Sequence, residues 1–192
     1  ILLLTGNLYA QKLSYPESVV CDYSVCRYFV TNVNKMTPTS NDGEVLIMDR
    51  DGNLEEFVST GMNIPRGMDI YGQKLYVTDI DKIVIINISG KNIEKKIDVT
   101  GALSLNDICS DGDGNFYISD DQQDLIFKFN ANTETVEQMN LTGYVPKPNG
   151  IYHDEDANCL YVVSFSKNAS IYKIDLQTNI VTKEYETDVN YI

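Results

Sequence analysis

Short apolar runs with two-residue alternation recur along the whole chain, and the three-to-four-residue spacing of an amphipathic helix is nearly absent. The clearest case is 105–129, LNDICSDGDGNFYISDDQQDLIFKF. A polar pair (Asn106, Asp107) and a short apolar start (Ile108, Cys109) lead into a DGDGN turn. An aromatic and β-branched run at 116–118, an acidic turn and an alternating run at 125–129 complete the unit. Gly-rich turns between runs of this kind mark β-hairpins.

The same unit opens four times: PESVV at Pro16, PRGMD at Pro65, LNDIC at Leu105 and PNGIY at Pro148, spaced 49, 40 and 43 residues apart. That period is the length of a four-stranded propeller blade. Second strands are predicted at 28–31, 75–78, 116–119 and 160–164, and third strands at 45–49, 83–88, 125–129 and 171–175. Fourth strands at 54–58, 93–99, 135–139 and 180–185 are more polar, as the outer strand of a blade should be. The expectation is an all-β chain, a β-propeller of antiparallel blades over 16–60, 65–100, 105–141 and 148–186. The extra length of the first unit falls in NKMTPTSND at 34–42, read as a surface insertion.

Composition supports this and narrows the partners. Thirteen Tyr, twelve Gly and no Trp, with abundant Ile and Val, suit strands and tight turns. A net charge of −13 argues against nucleic acid or an anionic membrane as partner, since both need basic patches. It fits an ordinary solvated surface equally well. The four cysteines (Cys21, Cys26, Cys109, Cys159) form no CxxC pair and there is one His, against a structural zinc cluster. Cys21 and Cys26 flank a short turn and either pair across a hairpin or stay separate thiols. Residues 1–11, ILLLTGNLYAQ, begin without Met and read as the back half of a secretory leader cut after Ala10, with an edge strand as the alternative. That reading places the protein in a secreted or periplasmic space, with the partial propeller at 12–192. No other segment approaches the ~20 apolar residues of a membrane helix.

Two turns imitate metal loops. Asp49 to Asn53 (DRDGN) and Asp111 to Asn115 (DGDGN) start like a calcium loop of the helix–loop–helix type, yet lack Gly at its sixth position and Glu at its twelfth. They are read as hairpin turns. Asn32, Asp79 and Asp120 follow the second strand at one repeated phase and are read as backbone caps. His153 is read as an exposed strand residue, and sequons stand at Asn87, Asn140 and Asn168.

Residues of equal phase in successive blades are related by rotation about the propeller axis, so those opening the innermost strand converge on the channel. The second residues of the four openings are Glu17, Arg66, Asn106 and Asn149. One carboxylate and two amides offer oxygens suited to a hard cation, Ca²⁺ or Mg²⁺. The alternative is that they bond the backbone of their own turns.

With the PES, NDI and PNG turns and strands of the LYVTD and FYISD kind, the chain resembles the SMP-30/gluconolactonase/luciferin-regenerating-enzyme family of six-bladed propellers over about 14–185. The resemblance implies that Glu17 and Asn149 bind one divalent cation, foremost Ca²⁺ with Mg²⁺, Zn²⁺ or Mn²⁺ as alternatives. Asn106 is then a ligand or substrate contact, and Arg66 anchors an anionic substrate, counterbalances Glu17 or reaches out to solvent. The implied reaction is metal-assisted hydrolysis of a small-molecule lactone or sugar-derived ester, with the cation polarising the carbonyl and a carboxylate taking the proton. The first turn reads PES where the family has Glu-Gly-Pro. The family's general-base Asp comes from a fifth blade, whose opening a further period would place at Tyr191, so the Asp falls beyond Ile192. The expectation is therefore four blades of a longer protein. The competing reading is a non-catalytic, NHL-like propeller that binds a sugar, peptide or protein through its channel face.

Overall fold

The structure, a computed structural model, describes residues 13–190; the expected leader at 1–11 lies outside them. Four antiparallel sheets follow one another along the chain, each from four consecutive strands. Sheet 1 is β1 (Pro16–Asp22), β2 (Arg27–Asn32), β3 (Gly43–Met48) and β4 (Leu54–Met62). Sheet 2 is β5 (Pro65–Tyr71), β6 (Lys74–Asp79), β7 (Lys82–Asn87) and β8 (Asn92–Asp98). Sheet 3 is β9 (Leu105–Ser110), β10 (Asn115–Asp120), β11 (Leu125–Asn130) and β12 (Thr135–Gln138). Sheet 4 is β13 (Pro148–Asp154), β14 (Cys159–Ser164), β15 (Asn168–Asp175) and β16 (Val181–Asn190). There is no helix among the described residues.

The first strands β1, β5, β9 and β13 pack side by side in sequence order, as the inner strands of propeller blades do. Burial follows from the sequence pattern. Middle strands such as KLYVTD and KIVIIN are buried on both faces and read as near-continuous apolar runs, whereas NIEKKID in β8 is largely exposed. The core lies in three seams rather than in one centre. Sheets 1 and 2 meet through Phe29, Phe57, Met68 and Leu75, sheets 2 and 3 through Tyr76, Ile83, Phe116 and Phe129, and sheets 3 and 4 through Tyr117, Ile126, Leu160 and Ile174. Between described residues, no core cluster joins sheet 4 to sheet 1.

The hairpin turns are as read. In both DxDGN turns the first Asp takes two backbone N–H groups and the Asn amide: Asp49 with Asp51, Asn53 and Asn53 Nδ2, Asp111 with Asp113, Asn115 and Asn115 Nδ2. Their carboxylates are committed to the turn. Cys21 and Cys26 are separate free thiols. The loop between β2 and β3 is mostly exposed, in keeping with an insertion. His153 departs from expectation: it is half-buried and stacks on Tyr117 across the seam of sheets 3 and 4, ring centres 5.9 Å apart.

Candidate functional site

The four openings are built alike. Pro16 faces Asn32, Pro65 faces Asp79, Leu105 faces Asp120 and Pro148 faces Ser164, and the register slips immediately afterwards in every sheet. Each slip is a β-bulge containing the second and third residues of the opening. Bulges re-aim side chains and concentrate beside active sites, so Glu17, Arg66, Asn106 and Asn149 share a conformational device as well as a repeat phase.

The last two residues of the second strand hold the bulges in place, and in sheet 4 the last one alone. The last one grips the incoming chain, and all four are buried. Asn32 Oδ1 accepts from Ser14 N (2.8 Å), and Asp79 Oδ1 accepts from Asn63 and Ile64 N (3.0 and 2.7 Å). Asp120 accepts four backbone N–H groups, from Leu103, Ser104, Gln122 and Gln123 (2.7–3.1 Å), while Ser164 Oγ donates to the Pro146 carbonyl. These are the caps expected at Asn32, Asp79 and Asp120. The preceding residue is a hydroxyl that ties one bulge to the next: Thr31 Oγ1 donates to the Arg66 carbonyl (2.7 Å), Thr78 Oγ1 to Asn106 (2.8 Å) and Ser119 Oγ to Asn149 (2.5 Å). The fourth position of this series is Val163.

On this rim Arg66 Nη1 donates to Asp121 Oδ2 (3.3 Å) and to Ser104 Oγ (3.0 Å), and Asn106 Nδ2 donates to the same Asp121 oxygen (3.2 Å). A guanidinium from sheet 2 and an amide from sheet 3 thus converge on one carboxylate. The pair is half-buried, so its side chains are held rather than freely solvated. Asp121 Oδ1 is buried and has no hydrogen-bond partner among the described residues. Asn149 is half-buried on sheet 4, its carbonyl fixed by Ser119, and Glu17 is exposed on sheet 1. The structure thus brings Arg66 and Asn106 together, and among the described residues it gives Glu17 and Asn149 no side-chain hydrogen bond to them. No three His, Cys, Asp or Glu side chains come together as a metal-holding group among the described residues; the Asn amides lie outside those types.

Asp121 was missed in the sequence reading, yet it left a signal. At its phase the other sheets carry Val33, Ile80 and Phe165, and Asp121 alone breaks the apolar series. Ile80 is itself unusual, a β-branched residue at φ 60°. Such backbone costs about 1–3 kcal/mol and gathers at functional sites. Its carbonyl is held by Leu105 N (2.7 Å), and it lines an indentation of roughly 110 Å³ beside Arg66 with Leu103 and Ser104. That is well below the ~300–1,000 Å³ of small-molecule pockets, so the rim offers a surface rather than an enclosing cleft.

Below the rim stand two further carboxylates. Asp107, in the sheet 3 bulge, accepts from Ile108 N and, across the seam, from Ile151 N (3.0 Å). Asp69 accepts from Ile70 N and from Ser110 N (2.7 Å). Gly67 allows this packing, because a Cβ there would sit 2.5 Å from Asp107 Cα. Burial pushes both carboxyls above their ordinary value of 3.8, and the charge of Asp69 adds to the effect on Asp107. A raised folded-state pKa means that their contribution to stability is complete below that ordinary value and is lost as pH rises through the raised one. Asp107→Asn should therefore flatten this part of the profile: the wild-type Tm, relative to the variant's, falls as pH rises from about 3.8 upward. Parallel curves in a pH series of thermal melts would show that the group does not titrate in this way.

No family model matches the chain, and no curated protein matches it in sequence. Solved structures do. Hydrazine synthase of Kuenenia stuttgartiensis superposes with a TM-score of 0.68 at 18% identity over 97% of this chain, and the chain spans 53% of that protein's length. A chain of a nidogen/laminin complex superposes with a TM-score of 0.64 at 16% identity, over 91% of this chain and 80% of its own. Identities this low carry the architecture alone. With four antiparallel four-stranded sheets in sequence order, they establish the fold as a β-propeller.

Proposed function

We propose that the chain is a propeller binding module whose rim, carrying Arg66, Asn106, Asp121, Asn149 and Glu17, takes a polyhydroxylated ligand, a saccharide. The convergence of Arg66 and Asn106 on Asp121 carries this reading. Guanidinium N–H groups donate, carboxylates accept, and amides do both, the mixture that a run of hydroxyls can satisfy in turn. The donors are already held by Ser104 and Asp121, so little side-chain freedom is lost on binding. Asn106→Ala removes one donor and one acceptor while sparing the backbone caps. It should weaken saccharide binding by about ten-fold, the upper value of one neutral hydrogen bond. Calorimetric titration of both proteins with a saccharide panel tests this, and equal affinities would remove Asn106 from the site.

A second reading is the metal-dependent lactone hydrolase implied by the likeness to the SMP-30/gluconolactonase family. The unpartnered, buried Asp121 Oδ1 beside Asn106 favours it, because an orphan carboxylate oxygen is what a hard cation satisfies. Glu17, Asn106 and Asn149 would hold the ion, which supplies Lewis-acid polarisation of a carbonyl when bound. Against a close fit, the Arg66 guanidinium already neutralises Asp121. On this reading Glu17→Gln weakens Ca²⁺ binding and leaves the fold intact. Calorimetric Ca²⁺ titration of wild type and variant decides, and equal heats would dismiss the metal site.

A further inference from the structure

Across sheet 3 the register lines up one row on the face turned to sheet 4: Cys109 on β9, Tyr117 on β10, Lys128 on β11 and Glu137 on β12. The matching position on the third strand is Ile47 in sheet 1, opposite Phe29, and Ile85 in sheet 2, opposite Tyr76. Both isoleucines are buried in the seam that follows their sheet. A third apolar residue would continue the series. Lys128 stands there instead, half-buried, and a cavity of roughly 350 Å³ lies at this level between sheets 3 and 4.

The walls of this cavity are fixed. Tyr117, Lys128, Glu137 and Asn140 line it from sheet 3 and the segment leaving that sheet, Leu176 and Asn179 from the turn before β16. Backbone bonds pin the segment to the turn, from Thr142 N to the Asn179 carbonyl (2.7 Å) and from Val181 N to the Thr142 carbonyl (2.9 Å). Gly143 permits this approach, since a Cβ there would lie 2.8 Å from Val181 Cβ. The volume falls within the range of small-molecule sites, and the polar groups around it are uncommitted. Tyr117 is only 5% exposed, and its hydroxyl has no hydrogen-bond partner among the described residues. Burial, aided by the charge of Asp111, pushes that hydroxyl up to about 12, so at neutral pH it is a phenol that donates and accepts. Lys128 Nζ stands 5.8 Å from the centre of the Tyr117 ring. Among the described residues neither Lys128 nor Glu137 forms an ion pair.

We propose that this cavity binds a free α-amino acid as its zwitterion. Lys128 and the Tyr117 hydroxyl take the carboxylate, Glu137 takes the ammonium, and the side chain lies against Leu176. Lys128 and Glu137 are directly opposed on neighbouring strands, which sets their Cβ atoms about 4.5–5.5 Å apart. One cation and one anion that close suit two opposite charges carried on a single carbon. A ligand with a carboxylate alone would face the Glu137 charge, and one with an ammonium alone would face Lys128. The cavity shares no residue with the Arg66–Asp121 rim, so it stands or falls independently of saccharide binding there.

Calorimetric titration of the whole chain with the proteinogenic amino acids, each to about 10 mM, tests this. At least one should bind. Its N-acetyl and carboxamide derivatives, each lacking one of the two charges, should bind at least about ten-fold more weakly. Glu137→Gln should erase the penalty for the N-acetyl form, and Lys128→Met the penalty for the carboxamide. Either variant should weaken the free amino acid by about ten-fold. Tyr117→Phe keeps the ring stacked on His153 and should weaken the free amino acid by about two- to ten-fold. Should Lys128→Met disturb the seam, Glu137 is exposed, and its variant probes the cavity without touching the core. A chain that binds no amino acid overturns the proposal. So does an N-acetyl form held as tightly as the free amino acid, which would make the cavity a carboxylate site. An affinity that Glu137→Gln and Lys128→Met both leave unchanged would place binding elsewhere and overturn it too.

Discussion

Asp120→Ala should destabilise the protein by about 3–5 kcal/mol, because it strips four backbone N–H groups of their acceptor in a fully buried site. A hydrogen bond to a charged group is worth about 1.5–3 kcal/mol, and the four are not additive, which keeps the total within that range. For a chain of this length the melting temperature should fall by about 10 °C or more. The loss is local in origin but lies beside the rim: Leu103 and Ser104 enter the sheet 3 opening, and Ser104 Oγ holds Arg66. The proposed saccharide binding should therefore weaken together with stability. Chemical denaturation measures the effect, and a loss under about 1 kcal/mol would mean that water or a neighbour takes over the four donors. Asp79→Ala, which strips two N–H groups, should cost visibly less.

Phe116→Ala should cost a similar amount for a different reason, about 3–5 kcal/mol from lost burial and the cavity left behind. Phe116 is fully buried in the seam of sheets 2 and 3, its ring 4.4 Å from Tyr76, 5.9 Å from Phe129 and edge-on to Tyr71. Those partners come from both sheets, so the cavity opens between blades, where rigid strands cannot collapse into it. The equivalent truncation of Tyr23, which is almost wholly exposed, should change stability by less than about 0.5 kcal/mol. A Phe116→Ala protein as stable as the Tyr23 variant would show that the seams do not carry the core.

The strands were legible because each is short, β-branched or aromatic, and closed by a turn whose chemistry is explicit. LYVTD and FYISD could be aligned on residues alone. The caps were legible for the same reason, since Asn32, Asp79 and Asp120 repeat at one phase. The fourth strands were placed less well: β4 runs to Met62 and β16 to Asn190, beyond the expected 58 and 185, because a polar outer strand has no apolar alternation to mark its end. Register slips were invisible, as a bulge depends on backbone pairing rather than on residue type. The partner of Arg66 was invisible too. Asp121 belongs to the turn after β10, 55 positions away, and two neighbouring sheets bring the charges together. His153 looked like a surface residue because its stacking partner, Tyr117, belongs to another sheet.

In the proposed function the bulged openings form one binding rim around the Arg66–Asp121–Asn106 contact. Backbone chemical-shift mapping of labelled protein during a saccharide titration tests it most directly. Concentration-dependent shifts should be confined to the amides around Arg66, Asn106, Asp121 and Asn149, and in Asn106→Ala they should need about ten-fold more saccharide. Shifts that fall on the opposite ends of the sheets, at the DRDGN and DGDGN turns, or a rim that no saccharide perturbs, would contradict it.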